Sequence, residues 1–234
     1  MSEIRDATRT VVVTGAAGAL GRAVIADFAA AGMRVIALGR PEALHRLDPA
    51  LNATRLPVDL LDEADVQHAI LQAVELAGRL DALICLAGGF FGDTALLDTI
   101  PQRLEDQFAL NVMTAYNSVY AVLPHLLAGG GGAIVGVSSR PAVRPVAGAV
   151  AYAIAKLGVV KLMEQVAAEY REQGIRANAI IPSIIDTPEN RAAMPDADVE
   201  RWVRPEQIAA VLRFLVGDEA SIISGAAIPV YGRA

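Results

Sequence analysis

The chain contains a single cysteine, Cys85, and only three histidines, at positions 45, 68 and 125. One cysteine excludes an internal disulfide and any metal cluster built from several thiolates. The histidines are scattered and lack the spacing of a ligand set, so surface or helical positions account for them. The sequence therefore predicts no metal site.

Positive charge and long apolar runs are also scarce. The 20 Lys and Arg residues are outnumbered by 26 Asp and Glu, and none of the basic residues form a run. This balance argues against nucleic acid as a partner. The longest charge-free stretch, residues 107–139, is interrupted by asparagines, a proline and four glycines, so we predict no membrane span. The polar start, MSEIRDATRT, lacks the apolar segment of a signal peptide, and we expect a cytoplasmic protein.

Aromatic residues make up only 5% of the chain although apolar residues make up 54%. A core of Ala, Val, Leu and Ile suits buried parallel strands. Short apolar runs alternate with helical patterns, which requires crossover connections. The predicted strands are 10–13, 33–38, 55–58, 80–86, 133–139, 175–181 and 226–230, and the longer predicted helices are 20–31, 66–77, 101–128, 148–173 and 205–216. We predict one α/β domain over residues 1–234, a Rossmann-type doubly wound parallel sheet of about seven strands flanked by helices.

A glycine-rich turn, TGAAGALG, joins the first predicted strand to the first predicted helix. Its glycines, Gly15, Gly18 and Gly21, allow a tight turn and the close approach of a pyrophosphate to the helix N-terminus. This pattern predicts a dinucleotide site. The second strand ends in Gly39 and Arg40 rather than in the acidic residue that binds the ribose of NAD. Arg40 favours NADP(H), which carries a 2′-phosphate, although NAD(H) is possible if Arg40 is merely solvated.

Tyr152 and Lys156 stand four residues apart in the segment AYAIAK. On a helix this spacing puts both side chains on one face. Alone, such a pair is usually an ordinary feature of a helix surface, because both residue types are common. A free phenol has a pKa of about 10, and a neighbouring ammonium group lowers it by favouring phenolate. If other motifs in the chain indicate catalysis, the pair therefore predicts a tyrosine with a lowered pKa.

Those other motifs resemble the short-chain dehydrogenase/reductase family. The similar segments run through most of the chain: TGAAGALG at 14–21, Asp59, LAGG at 86–89, Asn111, SS at 138–139, YAIAK at 152–156 and IPSIIDTP at 181–188. Ser139 lies 13 residues before Tyr152, the usual spacing in the family. The chain departs from the family pattern at Gly18–Ala19, Cys85–Leu86 and Ser183, which affects the expected loop geometry.

The resemblance implies four catalytic residues. Tyr152 would be the general acid and base, and Lys156 would lower its pKa and hold the nicotinamide ribose. Ser139 would donate a hydrogen bond to the substrate oxygen. Asn111 would support a water-linked proton path through a local kink in its helix.

The same resemblance implies a set of cofactor contacts. Ile185 and Thr187 match positions that contact the nicotinamide carboxamide, and Asp59 matches one that contacts adenine. Tyr152, Lys156 and Arg40 are also predicted to contact the cofactor. The remaining predicted cofactor residues are Gly15, Gly18, Leu20, Gly21, Leu60, Ala87, Gly88 and Pro182.

Segments at 18–21, 81–90 and 186–202 are similar to the dihydropteridine reductase branch of the family, which normally uses NADH. That branch lacks a serine at the position of Ser139 and has an acidic residue where this chain has Gly39. We therefore favour a carbonyl reductase or alcohol dehydrogenase over an NADH-dependent pterin reductase. A non-catalytic NADP-binding regulator is a third possibility, but such proteins usually lose the tyrosine or the lysine.

The substrate is a small carbonyl or alcohol compound whose identity the sequence leaves open. Arg140 and Arg144 either bind an acidic substrate or belong to a solvated loop. Plausible walls of an apolar pocket are Phe90, Phe91, Met194 and Trp202. Residues 188–203 form either a mobile lid or an ordinary surface helix pair. Members of the family commonly pair through the helices matching 101–128 and 148–173, so a homotetramer or homodimer is expected.

Overall fold

The computed structural model describes residues 8–90 and 95–233. Its strands are β1 (Thr10–Thr14), β2 (Arg34–Gly39), β3 (Thr54–Pro57), β4 (Ala82–Cys85), β5 (Gly132–Val137), β6 (Ile175–Pro182) and β7 (Ala227–Val230). Its α-helices are α1 (Ala19–Ala30), α2 (Pro41–Leu44), α3 (Glu63–Ala77), α4 (Pro101–Phe108), α5 (Thr114–Ala128), α6 (Val150–Tyr170), α7 (Pro188–Ala193) and α8 (Pro205–Val216). The alternation of strands and helices predicted from the sequence is confirmed.

The seven strands form one parallel sheet in the order β3-β2-β1-β4-β5-β6-β7. Val12 of β1 pairs with Ile36 of β2 on one side and with Leu83 of β4 on the other. The strand order reverses between β1 and β4, which is where sheets of this type open a crevice for a ligand. The predicted fold class, a doubly wound α/β sheet, is confirmed.

Two apolar layers cover the two faces of the sheet because neighbouring residues of a strand point to opposite sides. Val12 joins the layer built with α3, α5 and α6, whereas Val11 and Val13 join the layer built with α1 and α8. All five residues of β1 are buried, as expected for a central parallel strand. This double covering leaves the ends of the strands as the accessible parts of the sheet.

Among the predicted bounds that differ from the observed ones, three affect the ends of the strands and the segment beside them. β4 spans Ala82–Cys85 rather than 80–86, and β5 ends at Val137, so Ser138 and Ser139 follow the strand instead of belonging to it. The predicted helix 101–128 is divided into α4 and α5 by a π-helical turn, Ala109–Met113. Pairing and side-chain bonds at the strand ends decide these limits, and apolar runs do not show them.

No helix in the described part of the chain is both long enough and apolar enough to cross a membrane. Across the same residues, no group of three or more His, Cys, Asp or Glu side chains is arranged to hold a metal ion.

Candidate active site

The three glycines of the first turn differ in why glycine is needed at each position. Gly15 has φ +62°, and a methyl group added to it would lie 2.7 Å from the Ala87 nitrogen. A methyl group on Gly21 would lie 2.4 Å from the Ala16 carbonyl oxygen. Gly18 is the N-cap of α1, and the nearest atom to an added methyl group is the Gly15 oxygen at 3.4 Å. The fold itself therefore requires Gly15 and Gly21, whereas Gly18 leaves space in front of the N-terminus of α1.

That open helix N-terminus fits a pyrophosphate, because free N–H groups and the positive end of the helix dipole favour anions there. α1 is 12 residues long, so its dipole is well developed. Leu20, in its first turn, is half-buried and packs against the apolar layer below, which fixes the start of the helix.

Thr14 connects the first turn to the end of β4. Its Oγ1 accepts hydrogen bonds from the backbone nitrogens of Leu86 and Ala87, both at 3.2 Å. This contact closes the sheet at the point where the strand order reverses. Sequence analysis did not single out Thr14, although a threonine ending a central strand is a detectable signal.

Gly88 lies between two of the predicted catalytic side chains. It has φ +148°, and an added methyl group would lie 2.5 Å from Asn111 Oδ1 and 3.0 Å from Lys156 Nζ. Only glycine allows the chain to pass at this position. The loop after β4 therefore brings Ala87 and Gly88 to the predicted catalytic residues.

Asn111 is buried in the π-helical turn, and its amide is oriented by several bonds. Its Oδ1 accepts from the Gly89 nitrogen at 3.0 Å, and its Nδ2 donates to the Gly89 oxygen at 3.1 Å. Nδ2 also contacts two oxygens of Gln107, the backbone oxygen at 3.0 Å and Oε1 at 2.8 Å. A flipped amide would place Oδ1 against three other oxygens, so these contacts fix its orientation.

Gln107 was missed by sequence analysis. It is completely buried in the last turn of α4, one turn before Asn111. A glutamine four residues before an asparagine, on a helix face that must be buried, is the signal that could have revealed it. Buried amides require hydrogen-bond partners, and here Asn111 is one of them.

Tyr152, Ser139 and Lys156 come together at the end of β5. Tyr152 is half-buried in the first turn of α6, and the Ser139 side chain lies close enough to influence the pKa of its phenol. The edge of the Phe90 ring approaches the Tyr152 ring, with centroids 5.2 Å apart and planes at 79°. Ser138 Oγ donates to the Lys156 backbone oxygen at 2.7 Å and so fastens α6 to the strand end.

The pKa of Tyr152 is raised, not lowered, in this structure. Burial of the phenol is the main cause, and the interaction with the Ser139 side chain partly opposes it. The prediction that Lys156 lowers the pKa of Tyr152 is therefore wrong for the protein alone. Lys156 Nζ lies 5.8 Å from the centre of the tyrosine ring and donates instead to the Val137 oxygen at 3.0 Å.

Lys156 is itself unusual because its ammonium group is buried. Burial lowers its pKa to about 8, partly opposed by the charge interaction with Cys85. Burial also raises the pKa of the Cys85 thiol to about 12, and Lys156 opposes that shift. At neutral pH Lys156 is therefore mostly protonated, but its pKa lies only about one unit above the pH.

The end of β6 places three further predicted residues. Pro182 is the last residue of β6, and Ile185 forms a bridge with Val203. Thr187 starts α7, where its Oγ1 accepts from the Asn190 nitrogen at 3.2 Å. This bridge joins the two ends of the segment between Ile185 and Val203. The segment contains α7 and a 3-10 turn at Val199–Arg201.

The predicted pocket walls have different surroundings. Phe90 is exposed, Met194 is half-buried and Trp202 is buried. Phe91 lies outside the described residues. Trp202 therefore anchors the end of the segment 188–203, and Phe90 is the apolar side chain in contact with Tyr152.

The predicted adenine residues lie at the other end of the site, after β2 and β3. Arg40 is exposed and precedes α2, and its side chain makes no hydrogen bond or ion pair with any described residue. Asp59 is exposed, and its Oδ1 accepts from the Leu61 nitrogen at 3.0 Å. Leu60 is buried, and its backbone oxygen accepts from Asn117 at 3.0 Å.

Comparisons with known proteins agree with this architecture. A family model described as short chain dehydrogenase matches residues 9–198. The chain is 32% identical to 2-(R)-hydroxypropyl-CoM dehydrogenase of Xanthobacter autotrophicus, with 96% of this chain and 98% of that protein covered.

Two solved structures are similar over nearly the whole chain. A short-chain type dehydrogenase/reductase from Mycobacterium ulcerans has a TM-score of 0.91 and 27% identity, covering 96% of this chain and 89% of that one. The 3-ketoacyl-(acyl-carrier-protein) reductase of Brucella melitensis, solved with NADH, has a TM-score of 0.86 and 26% identity, covering 96% and 98%. With a family model matching most of its length, the chain belongs to the short-chain dehydrogenase/reductase family of oxidoreductases.

Proposed function

We propose that the protein is a nicotinamide-dependent oxidoreductase that interconverts a carbonyl compound and its alcohol, with Tyr152 as general acid and base. The observation that carries this proposal is the proximity of the Tyr152 and Ser139 side chains at the end of β5, with Lys156 one helical turn further on. The cofactor, when bound, supplies or accepts the hydride. The protein's residues orient the substrate and manage the proton.

Tyr152 and Ser139 share the work at the substrate oxygen. The raised pKa keeps the Tyr152 phenol protonated at neutral pH, so it can donate a proton to the oxygen of a carbonyl being reduced. Ser139 donates a hydrogen bond to the same oxygen as negative charge develops there. In the oxidation direction Tyr152 must first lose its proton, which higher pH favours.

Lys156 and Asn111 would help to return a proton to Tyr152 after each reduction. With a pKa near 8, Lys156 can return a proton towards Tyr152 and be recharged from water. The Asn111 amide is occupied by Gly89 and Gln107, so its contribution is to hold the loop after β4 and the π-helical turn in place. That turn marks the break in the helix through which we expect a water-linked path to reach Lys156.

The cofactor site would extend from the first turn to the end of β6. Gly15, Gly18, Leu20 and Gly21 would hold the pyrophosphate; Ala87, Gly88, Pro182, Ile185 and Thr187 would surround the nicotinamide; Asp59 and Leu60 would border the adenine. We favour NADP(H), because Arg40 lacks a partner among the described residues and can bind a 2′-phosphate. The Brucella melitensis reductase was solved with NADH, so NAD(H) is the competing cofactor.

We further propose that residues 1–234 form one domain and that the protein is a cytoplasmic homodimer or homotetramer. Exposed apolar side chains on α5 and α6 support pairing through these helices. They are Tyr116, Tyr120, Ile154 and Leu157, and the two tyrosine rings stack 6.3 Å apart. Sedimentation of the purified protein tests this assembly directly.

The deciding experiment follows NADPH and NADH oxidation with a panel of ketones, aldehydes, diketones and quinonoid dihydropterin. We expect turnover of simple carbonyls with NADPH. Tyr152→Phe should reduce kcat by about 10²- to 10⁴-fold while NADPH still binds, because only the proton donor is removed. Full activity of Tyr152→Phe would contradict the mechanism, and turnover of the pterin alone with NADH would favour the pterin reductase interpretation.

A further inference from the structure

Acidic and basic residues are distributed very unevenly along the chain. Residues 107–163 contain no Asp or Glu but include Arg140, Arg144, Lys156 and Lys161, a formal charge of +4 in a chain whose total is −6. This part of the chain includes Ser139 and Tyr152. Lys161 pairs with Glu164, just beyond this stretch, so the positive charge without an acidic partner comes from Arg140, Arg144 and Lys156.

Arg140 directly follows Ser139, and its charge is not neutralised. It is half-buried at the start of the 3-10 turn Arg140–Ala142, and its side chain makes no hydrogen bond or ion pair with the described residues. Other arginines without such a partner, including Arg40 and Arg171, are exposed to water. A partly desolvated guanidinium with no partner is costly unless an anion pairs with it.

Arg144 stands at the other end of the same turn, and the fold holds it there. Its backbone nitrogen donates to the Arg140 oxygen at 2.8 Å, and its guanidinium lies 5.4 Å from the centre of the Tyr231 ring. The Tyr231 backbone oxygen accepts from Ser183 Oγ at 2.8 Å, just after β6. Arg144 is thus fixed beside the strand ends that border the proposed nicotinamide site.

The carboxylate that follows β6 does not cancel this charge. Asp186 accepts two hydrogen bonds from Arg191, at 2.5 and 2.8 Å. Within the described residues, Asp186 forms its ion pair with Arg191 and none with Arg140 or Arg144. The two arginines after Ser139 consequently remain available to a ligand.

We propose that Arg140, assisted by Arg144, binds an anionic group of the substrate, so that the natural substrate is a carbonyl or hydroxy acid rather than a neutral compound. This inference rests on the proposed function, because it takes the reacting oxygen to lie at Ser139 and Tyr152. Arg140 directly follows Ser139 in the chain, so its long side chain would have to reach back towards an acid group a few bonds from that oxygen. Paired guanidinium and carboxylate groups form strong, charge-assisted hydrogen bonds.

The test compares short 2-oxo, 3-oxo and 4-oxo acids with their methyl esters, using NADPH and the wild-type protein. We expect at least one acid to exceed its ester by about tenfold or more in kcat/KM, mainly through KM. Arg140→Gln should reduce this acid-to-ester ratio by about tenfold, whereas Arg140→Lys, which keeps the charge, should retain part of it. Arg171→Gln, the same charge change on an exposed arginine after α6, should leave the ratio unchanged.

A binding measurement separates this inference from the proposed function. Calorimetry with the protein saturated with NADP⁺ compares the oxo acids with their methyl esters, because an oxo compound and the oxidised cofactor cannot react with each other. The inference is wrong if no acid binds or reacts better than its ester, or if Arg140→Gln binds the acid as the wild type does. If carbonyls are not reduced but the acid binds through Arg140, the catalytic proposal fails and the anion site stands.

Discussion

The two ends of the proposed cofactor site are built in opposite ways. At the catalytic end, Asn111 and Lys156 are buried and each is held by backbone atoms. At the adenine end, Arg40 and Asp59 are exposed, and the Arg40 side chain has no partner in the described parts of the chain. The proposed chemistry therefore depends on buried side chains in fixed positions, whereas the proposed choice of cofactor depends on an exposed surface charge.

Removing the surface charge is expected to have the largest effect on this comparison. Arg40→Gln should raise the KM for NADPH about ten- to hundredfold and leave the KM for NADH nearly unchanged, because only NADPH has the 2′-phosphate. Steady-state kinetics with both cofactors measures this. Arg171→Gln is the control for net charge. An equal change for both cofactors would mean that Arg40 does not recognise the phosphate.

The glycine turn contrasts a fold requirement with a ligand requirement. Gly21→Ala should destabilise the protein by about 2 kcal/mol or more, since the new methyl group meets the Ala16 carbonyl. Gly18→Ala should change the unfolding free energy by less than about 1 kcal/mol but weaken NADPH binding by about tenfold. Urea denaturation and cofactor titration of both variants measure the two quantities. Normal NADPH binding by Gly18→Ala would contradict the proposal that the turn at Gly18 binds the pyrophosphate of the cofactor.

Substitution of Gln107 tests whether activity depends on how Asn111 is positioned at the buried, catalytic end of the site. Gln107→Met removes the side-chain acceptor of Asn111 while roughly conserving volume, and we expect kcat to fall about tenfold. In an Asn111→Ala background the same change should have little further effect, because Gln107 acts through Asn111. Additive losses in kcat would indicate that Gln107 has a general structural role instead.

The buried lysine predicts a modest dependence of stability on pH. Folding lowers the pKa of Lys156 from 10.5 to about 8, so above about pH 8 the unfolded chain binds more protons and the unfolding free energy rises with pH. Burial raises the pKa of Cys85 from 9.0 to about 12, which opposes this rise above about pH 9. Each pH unit contributes at most about 1.4 kcal/mol.

Urea denaturation between about pH 7 and 9 checks this expectation. Lys156→Met should lack the rise that the wild type shows between about pH 8 and 9. Subtracting the two curves cancels groups that both proteins share. Identical curves would mean that Lys156 keeps its proton in the folded protein.

The sequence alone predicted the fold well because burial of parallel strands leaves a readable pattern. Apolar runs such as Thr10–Thr14 and Ala82–Cys85 are buried on both faces, so their composition identifies them without knowledge of the partner strands. The order of the motifs then predicted the family, which the comparisons confirmed. The roles of Tyr152, Ser139 and the cofactor residues remain predictions.

Only the tertiary structure decided what depends on contacts between distant segments. It showed that Thr14 bonds to residues 86 and 87, and that Gln107 holds Asn111. It also reversed the expected pKa shift of Tyr152, because sequence spacing places Lys156 near the ring but does not reveal that the phenol is buried. Local patterns determine helices and strands, whereas burial and hydrogen-bond partners arise only when the chain is folded.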